Sequence, residues 1–541
     1  MGSRRRNTSS SVNFTRIWRG CRTYERNLGN WWFEMDLART YGRGKASING
    51  LVSGDALRAK VMRGGAWLGS GSAAEQAVRF ARNMFLARIL APGAFGTMAI
   101  VLSSAALVDV LTDVGMNAAI IQSPRGGKAA YLNASWWLGL CRAILSYLII
   151  FAAAPWISQF YGRPEISGLL RVALLGVLFN GAMSPRSVLA QKEMKLGRWA
   201  VITNGGGICG VILTVVLSFY MRDVWALAIG YCGENVFRLV LSYALCPAIP
   251  SFHFDWSAGR ELLAFSRGIF GLAILNLIIS RADVFVLGRL YPLAALGLYT
   301  MAVTLVTTPS VFCTNMLGQT LMPAVSSVQQ DAERVNRILL EVTSWLLFLG
   351  MPAAVFISLS APSLLRLAYG VRYIAAAGPL SVASAAVFLT VLNAVPTIVL
   401  FAKGRPSLHR HAVVVTAAVM LAAIYPASKF LGPIGGQIAA LLAVSVGYLF
   451  QLILLRSVTG LKLFRYGSAF VPPALGSAAM VVIVLGSRRL GLAVSPAADT
   501  ALCVASCLVA YTICAQAHLR TSKRHMSSYR KSKMPESASA L

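Results

Sequence analysis

Charge is scarce in this sequence. Asp, Glu, Lys and Arg make up 13% of its 541 residues, where soluble domains carry roughly 25%. Too little polar surface is available to cover soluble domains of that length. Acidic side chains are the scarcest, with 19 Asp and Glu against 50 Lys and Arg. Long polar stretches are missing too. Between residues 65 and 517 no loop exceeds about fifteen residues, which leaves no place for a soluble catalytic or nucleotide-binding domain. A P-loop is absent, because Gly126, Gly127 and Lys128 are followed by Ala129 and lack the upstream glycine. Any transport therefore draws on a gradient, the membrane potential or substrate turnover, not on ATP hydrolysis by this chain. The nine cysteines are scattered, most of them in apolar runs, with no metal-ligand spacing and no disulfide framework. No cofactor motif is present. Residues 1–63 lack the apolar core of a signal peptide. Arg6 breaks the myristoylation pattern that Gly2 would begin. Both Met1 and Met62 fit as starts.

What the chain has is apolar length. The hydrophobic set makes up 56% of it and mean hydropathy is +0.64. Apolar stretches recur from residue 66 to about residue 517, each long enough to cross a hydrocarbon core roughly 30 Å thick. Their Gly, Ala and Val content suits closely packed membrane helices. The expected spans are 66–90, 95–122, 131–154, 166–188, 199–220, 223–246, 262–288, 293–320, 338–360, 374–402, 409–428, 434–456, 467–487 and 497–517. The fold class is thus an all-α polytopic membrane protein with about fourteen transmembrane helices, and the lipid bilayer is its first partner.

The net charge of +31 sits outside those runs. Residues 1–64 hold thirteen Lys and Arg against four acids, and the tail at 518–541 is basic as well. No zinc spacing or basic-helix pattern makes this a nucleic-acid binder. Basic flanks mark the cytoplasmic side of a membrane protein. An even number of spans puts both termini there. Loops expected in the cytoplasm then hold about fifteen Lys and Arg and the external loops about eight, in agreement with that orientation.

An internal repeat follows. Leu86, Ala87, Arg88 and Ile89, then Ala94, Phe95 and Gly96, match Leu287, Gly288, Arg289 and Leu290, then Ala295, Leu296 and Gly297, at an offset of 201 residues. Spans 1 and 7 become equivalents. The expected organisation is a basic tail at 1–64, an N-lobe at 65–246, a parallel C-lobe at 262–456, a helix pair at 467–517 and a second basic tail at 518–541. Secondary transporters place substrate between such repeats.

Charges inside spans are costly and point to function. Glu75, Arg79 and Arg82 lie at i, i+4 and i+7 on span 1, one stripe of a helix. Asp109 and Asp113 lie four apart on span 2, and Arg142 sits midway along span 3. Arg267 and Arg281 share a face of span 7, with Asp283 on the other face. Glu234 and Arg238 form a favourable i, i+4 pair on span 6. Arginine offers a fixed fork of donors to phosphate oxygens. So Arg79, Arg82, Arg142, Arg267 and Arg281 are candidates for holding an anionic substrate. Glu75, Asp109, Asp113 and Asp283 are candidates for ion coupling. The competing reading pairs these acids and bases structurally, Glu75 or Asp113 neutralising Arg79 or Arg82. Arg88 and Arg289, near helix ends, are expected to snorkel to the interface. No residue stands out as catalytic, and no site is expected to hold a metal.

Several segments resemble a known family. They are Phe80, Ala81 and Arg82 with residues 86–96, then residues 111–122, then residues 280–290 with Leu296, Gly297, Leu298 and Tyr299, then residues 321–326 with Asp331. In that order they are similar to the polysaccharide flippase family of the multidrug/oligosaccharidyl-lipid/polysaccharide exporter superfamily, over roughly residues 65–465. The resemblance implies a flippase of the bacterial inner membrane for undecaprenyl-pyrophosphate-linked sugar units. Such proteins move the unit from the cytoplasmic to the periplasmic leaflet, for exopolysaccharide, capsule or O-antigen, with a polysaccharide polymerase as a further partner. A lipid II flippase is a relative, and Arg82 and Arg88 match arginines of its first helix. It also carries an arginine shortly before the proline of its eighth helix, where residues 303–308 ahead of Pro309 here are uncharged. The alternatives are a drug or cation exporter of the same superfamily, a membrane glycosyltransferase or polymerase, and a scaffold without transport. Arginine stripes disfavour a cationic cargo, and short external loops without paired acids disfavour sugar chemistry.

Overall fold

The computed structural model describes residues 57–112, 120–121, 123, 125–193, 195–248, 250–251, 255–266, 270–490 and 501–512. Asp113 and Arg267 lie outside them, as do the expected terminal tails apart from residues 57–64, which open the first helix.

The described residues form helices and no strand. In chain order these are α1 Leu57–Ile89, α2 Pro92–Thr112, α3 Ala129–Tyr161, α4 Glu165–Gly181, α5 Arg186–Lys192, α6 Leu196–Met221, α7 Val224–Leu245, α8 Trp256–Ser266 and α9 Phe270–Leu290. They continue as α10 Leu293–Ser327, α11 Ala332–Leu359, α12 Ala361–Ala368, α13 Val371–Ala402, α14 Pro406–Leu431, α15 Pro433–Thr459, α16 Leu463–Arg489 and α17 Ala501–Thr512. Helices among the described residues overlap each expected span, the fourth and the seventh in two pieces. Among the described residues, eleven helices are long and apolar enough to cross a membrane, and the bent pair α4–α5 makes a twelfth span if counted as one. Helix α1 falls outside that set because of its charges, and the described part of α17 because of its length. The chain is a multi-pass membrane protein.

Local chemistry sets the helix ends. Asp223 caps α7 by accepting from the Val224 N–H at 2.6 Å, and Asp331 caps α11 by accepting from Glu333 and Arg334 at 3.0 Å. Gly162, with φ 65°, closes α3 in the left-handed conformation that glycine adopts without strain. The fourth expected span is not one straight helix. Pro185 has no N–H to continue the α4 ladder, and α5 leaves at 62°. Its free neighbour, the Ser184 N–H, is taken by Ser242 Oγ on α7.

Residues from Trp67 onward form one compact unit, distinct from Met1–Ala66. Its largest core draws on both halves of the sequence: Leu86, Ile100 and Leu174 from the first, Leu287, Tyr299 and Leu380 from the second. The halves meet where α2 packs on α9 and α10. At this crossing the repeated glycines face each other. A Cβ on Gly96 would overlap the Leu293 carbonyl, and a Cβ on Gly297 would overlap the Pro92 carbonyl. Pro92 and Leu293 are themselves one repeat apart. The contact is therefore reciprocal, as across a twofold axis. Two arginines one repeat apart flank it. The Arg88 guanidinium donates to the Leu367 carbonyl at 3.0 Å, and the Arg289 guanidinium lies over the Phe160 ring at 5.8 Å. Each reaches into the opposite half, where backbone and ring partners stand within range.

Candidate functional site

Polar side chains in the first half gather around α6. Gly206, Gly207 and Gly210 present bare backbone there. A Cβ at these positions would overlap Arg238, Glu75 and Glu234 respectively. The glycines open room for four charged groups from α1 and α7. Arg79 Nη2 lies 2.8 Å from Glu75 Oε1 and 2.5 Å from Glu234 Oε1. Arg238 Nη2 lies 2.8 Å from Glu234 Oε1 and 3.8 Å from Glu75 Oε1. Asn204 sits in a π-helical segment at Val201–Gly205, and with its amide nitrogen turned toward α1 it donates to Glu75 Oε2 at 2.8 Å. Two carboxylates and two guanidiniums thus balance in a partly buried lattice that ties α1 to α7 across α6.

Breaking a buried pair by removing one partner costs about 3–5 kcal/mol. Arg79→Leu leaves Glu75 and Glu234 sharing Arg238 alone. It is expected to lower thermal stability in detergent by several degrees, and adding Glu75→Gln is expected to restore part of the loss. A melting curve for Arg79→Leu equal to that of the unaltered protein would contradict this assignment.

The other sequence-derived candidates distribute as follows. Asp109 on α2 and Arg142 on α3 form an ion pair at 2.9 Å, with the Asp109 side chain 48% exposed. Tyr231 on α7 stands within electrostatic reach of both Asp109 and Glu234, linking this pair to the lattice. Arg82 belongs to the same stripe as Arg79 but has a different environment. Its guanidinium donates to the neighbouring Asn83 at 3.1 and 3.2 Å, and no carboxylate among the described residues pairs with it. Arg281 on α9 is exposed and forms no ion pair among the described residues. Seven residues further along that face, Gly288 packs against Ile100 and Tyr161 of the first half. Arg281 therefore lies on the side of α9 that looks toward the first half. Asp283, on the other side, accepts from the Tyr299 hydroxyl at 2.7 Å, and that oxygen accepts from Gln437 Nε2 at 2.5 Å.

An apolar niche of about 290 Å³ lies between α1 and α10, bordered by α11 and α12. Phe80, Met84, Leu305, Val306, Leu364 and Leu367 contribute to its wall. Phe80 and Met84 are four apart on one face of α1, and Arg82 lies about 200° around the helix from Phe80. One helix thus turns an apolar face to the niche and a guanidinium away from it. Among the described residues no group of three His, Cys, Asp or Glu could hold a metal ion.

Sequence reasoning missed Asn204, the α6 glycines, Tyr299 and Gln437. The glycines had a signal, since Gly206 and Gly210 recur at i, i+4 inside an apolar run. Tyr299 and Gln437 lie 138 residues apart, and nothing local marks them as partners.

The geometry can be set beside known proteins. The family described as polysaccharide biosynthesis protein matches residues 85–378, more than half of the chain. The teichuronic acid biosynthesis protein TuaB of Bacillus subtilis (strain 168) is 23% identical over 385 residues, 70% of this chain and 78% of that protein. The succinoglycan biosynthesis transport protein ExoT of Rhizobium meliloti (strain 1021) is 26% identical over 276 residues, 50% of this chain and 55% of that protein. Among solved structures, the lipid II flippase MurJ in an inward closed conformation superposes with a TM-score of 0.65 at 13% identity, covering 84% of this chain and 99% of MurJ. That likeness is one of fold.

Proposed function

Because this chain belongs to the polysaccharide biosynthesis protein family, we propose that it is a flippase of the bacterial inner membrane, with both termini in the cytoplasm. It moves undecaprenyl-pyrophosphate-linked oligosaccharide units from the cytoplasmic to the periplasmic leaflet, for exopolysaccharide, capsule or O-antigen. It acts as a transporter and makes or breaks no bond in its cargo. The observation that carries this reading is the contrast between the arginines. Arg79, Arg142 and Arg238 are neutralised by carboxylates. Arg82 and Arg281, on the leading helices of the two halves, form no ion pair among the described residues.

The cargo head is a pyrophosphate bearing sugars, which cannot enter hydrocarbon unaccompanied. Guanidinium forks bind phosphate oxygens through charge-assisted hydrogen bonds. Arg82 and Arg281 take the head into the cleft between a lobe at 65–246 and a lobe at 262–456, and the helix pair at 467–517 flanks them. The prenyl chain stays in the bilayer, and the apolar face of α1 at Phe80 and Met84 separates it from the head. Rocking of the lobes about the glycine crossing then exposes the cleft to each leaflet in turn. A drug exporter of the same superfamily is the weaker reading, because two guanidiniums without ion pairs among the described residues repel cationic cargo.

The test is depletion of the protein in its host. The surface polysaccharide is expected to disappear, and lipid-linked repeat units to accumulate several-fold in the inner leaflet, where externally added glycosidase cannot reach them. A polymerase would shorten the chains and leave the leaflet distribution alone. Repeat units arriving in the outer leaflet at the normal rate without this protein would sink the reading.

A further inference from the structure

Helices α2 and α10 touch at the glycine crossing and then part. At Gly297 a Cβ would overlap the Pro92 carbonyl. At Gly318, about six turns on and within about 60° of the same face, a Cβ would meet nothing within 4 Å. On α2, Leu107 and Leu111 lie within about 60° of the Gly96 direction and are 37% and 46% exposed. The faces that meet at the crossing thus become the two walls of a wedge that opens away from it. The walls differ in chemistry. The α2 wall is apolar at its leucines. The α10 wall carries Thr304, Thr308, Asn315 and Gln319, all within about 40° of Gly297 around the helix and about 10, 16, 27 and 33 Å from it along the axis. No residue of α10 is charged. The Thr304 hydroxyl donates to the Thr300 carbonyl at 2.7 Å and the Thr308 hydroxyl to the Thr304 carbonyl at 2.9 Å. Each keeps lone pairs with which to accept. Asn315 and Gln319 are exposed, and their amides form no hydrogen bond among the described residues. Near the apex sits Ser103, on the Gly96 face of α2 and one repeat before Thr304. It is fully buried, and its hydroxyl has no partner among the described residues. Such a hydroxyl costs free energy until a partner reaches it.

We propose that this face of α10 is a binding track for the hydroxyl groups of the cargo's oligosaccharide, with the α2 leucines against the C–H faces of the sugar rings. The inference rests on the flippase reading and adds what holds the sugars. Hydrogen-bond chemistry selects the occupant. A sugar hydroxyl both donates and accepts. Its hydrogen finds the Thr304 and Thr308 oxygens, and the Asn315 and Gln319 amides supply donors and acceptors together. A helix without charge does not compete with Arg82 and Arg281 for the pyrophosphate. Depth agrees with this division. Arg82 and Arg281 lie two to three turns before the outer ends of α1 and α9, and Thr304 about three turns from the outer end of α10. Phosphates held at the arginines leave the sugars to run from Thr304 toward Asn315 and Gln319 at the mouth of the wedge. The bland reading is that polar side chains join α10 to a neighbouring helix. The threonines alone would fit it, because their hydrogens are satisfied within the helix. The exposed amides do not, and the principal neighbours of α10, which are α2 and α13, leave the face open at Gly318. The track lets the protein hold the loaded carrier in preference to the bare one.

The experiment uses the full-length protein in lipid nanodiscs and two probes. One is polyprenyl pyrophosphate without sugar, the other is the same lipid carrying the repeat unit extracted from the host. Binding of each is titrated by native mass spectrometry. The unaltered protein is expected to hold the sugar-bearing lipid about tenfold more tightly, or better, as a few neutral hydrogen bonds provide. Thr304→Val with Thr308→Val keeps the shape of the wall and removes its acceptors. Asn315→Leu with Gln319→Leu removes the amides. The fourfold variant is expected to bind both lipids alike, with its affinity for the sugarless lipid unchanged, which also reports that the fold is intact. The threonine pair alone is expected to lose part of the preference, and it carries the test if the fourfold variant fails to accumulate. Arg82→Gln with Arg281→Gln is expected to weaken both lipids by a similar factor. Equal affinity for the two lipids in the unaltered protein overturns the track and leaves the flippase reading standing. So does a full preference that survives the fourfold change, or the threonine pair where only that variant accumulates. Binding of neither lipid sinks the flippase reading and the track with it.

Discussion

Replacing Arg82 and Arg281 together by glutamine is expected to stop transfer of lipid-linked sugar while leaving the protein folded and inserted. The separation of these two effects comes from their partners. Arg82 donates to Asn83 and Arg281 forms no ion pair among the described residues, so their removal orphans no carboxylate. The cost in stability therefore stays within about 1 kcal/mol, as for changes away from buried networks. The cost to cargo binding is larger. A hydrogen bond to a charged group contributes about 1.5–3 kcal/mol, and losing one at each arginine lowers apparent affinity on the order of a hundredfold or more. Initial rates in proteoliposomes with a pyrophosphate-linked substrate read this directly. Arg82→Lys, which keeps the charge and loses the planar fork, is expected to fall between the two. A double variant that keeps more than half of the normal rate would remove these residues from the cargo path.

Gly297→Leu is expected to have the second large effect, of a different kind. The Gly96 and Gly297 backbones approach so closely that any Cβ at position 297 overlaps the Pro92 carbonyl. Overpacking costs about 1–3 kcal/mol in a protein interior, occasionally more, and backbone cannot move aside as a side chain can. The halves are forced apart at this end. Labelling of an Ala91→Cys thiol by a membrane-impermeant reagent is expected to rise several-fold, and transport to fall by roughly tenfold or more, a barrier change of about 1.4 kcal/mol. Gly297→Ala is expected to show the same change at smaller amplitude. Normal labelling and transport in Gly297→Leu would mean that closure of the halves does not run through this contact.

The fold was legible in the sequence because its signal is local. An apolar run long enough to cross hydrocarbon marks a helix without help from the rest of the chain, and among the described residues eleven such helices, twelve with the bent pair, lie along the expected spans. The repeat at residues 86–96 and 287–297 was legible as similarity, and its meaning became visible only in three dimensions, as two glycines that touch. The site was less legible. Glu75 and Arg79 at i, i+4 read equally well as a pair or as lining, and the answer came from Glu234, 155 residues from Arg79. Spacing placed Asp109 and Asp113 on one face, whereas the Asp109 partner is Arg142 on α3, 33 residues away. Asp283 was legible as an intramembrane acid, but its partners on α10 and α15 were not. Charges inside a membrane declare that they need partners, and the partners come from packing, which a linear pattern does not encode.

The reciprocal crossing also bears on the history of the chain. When identical surfaces meet across a twofold, a single substitution is felt at both sides of the contact. Two separate copies of one half would have carried every change twice, with like residues always opposed. Joining the copies lifts that restriction, and the positions aligned by the repeat record the result. Arg82 in the first half corresponds, 201 residues on, to Asp283 in the second. Divergence at this aligned position has left a guanidinium on the leading helix of one half and, on that of the other, a carboxylate that accepts from the Tyr299 hydroxyl.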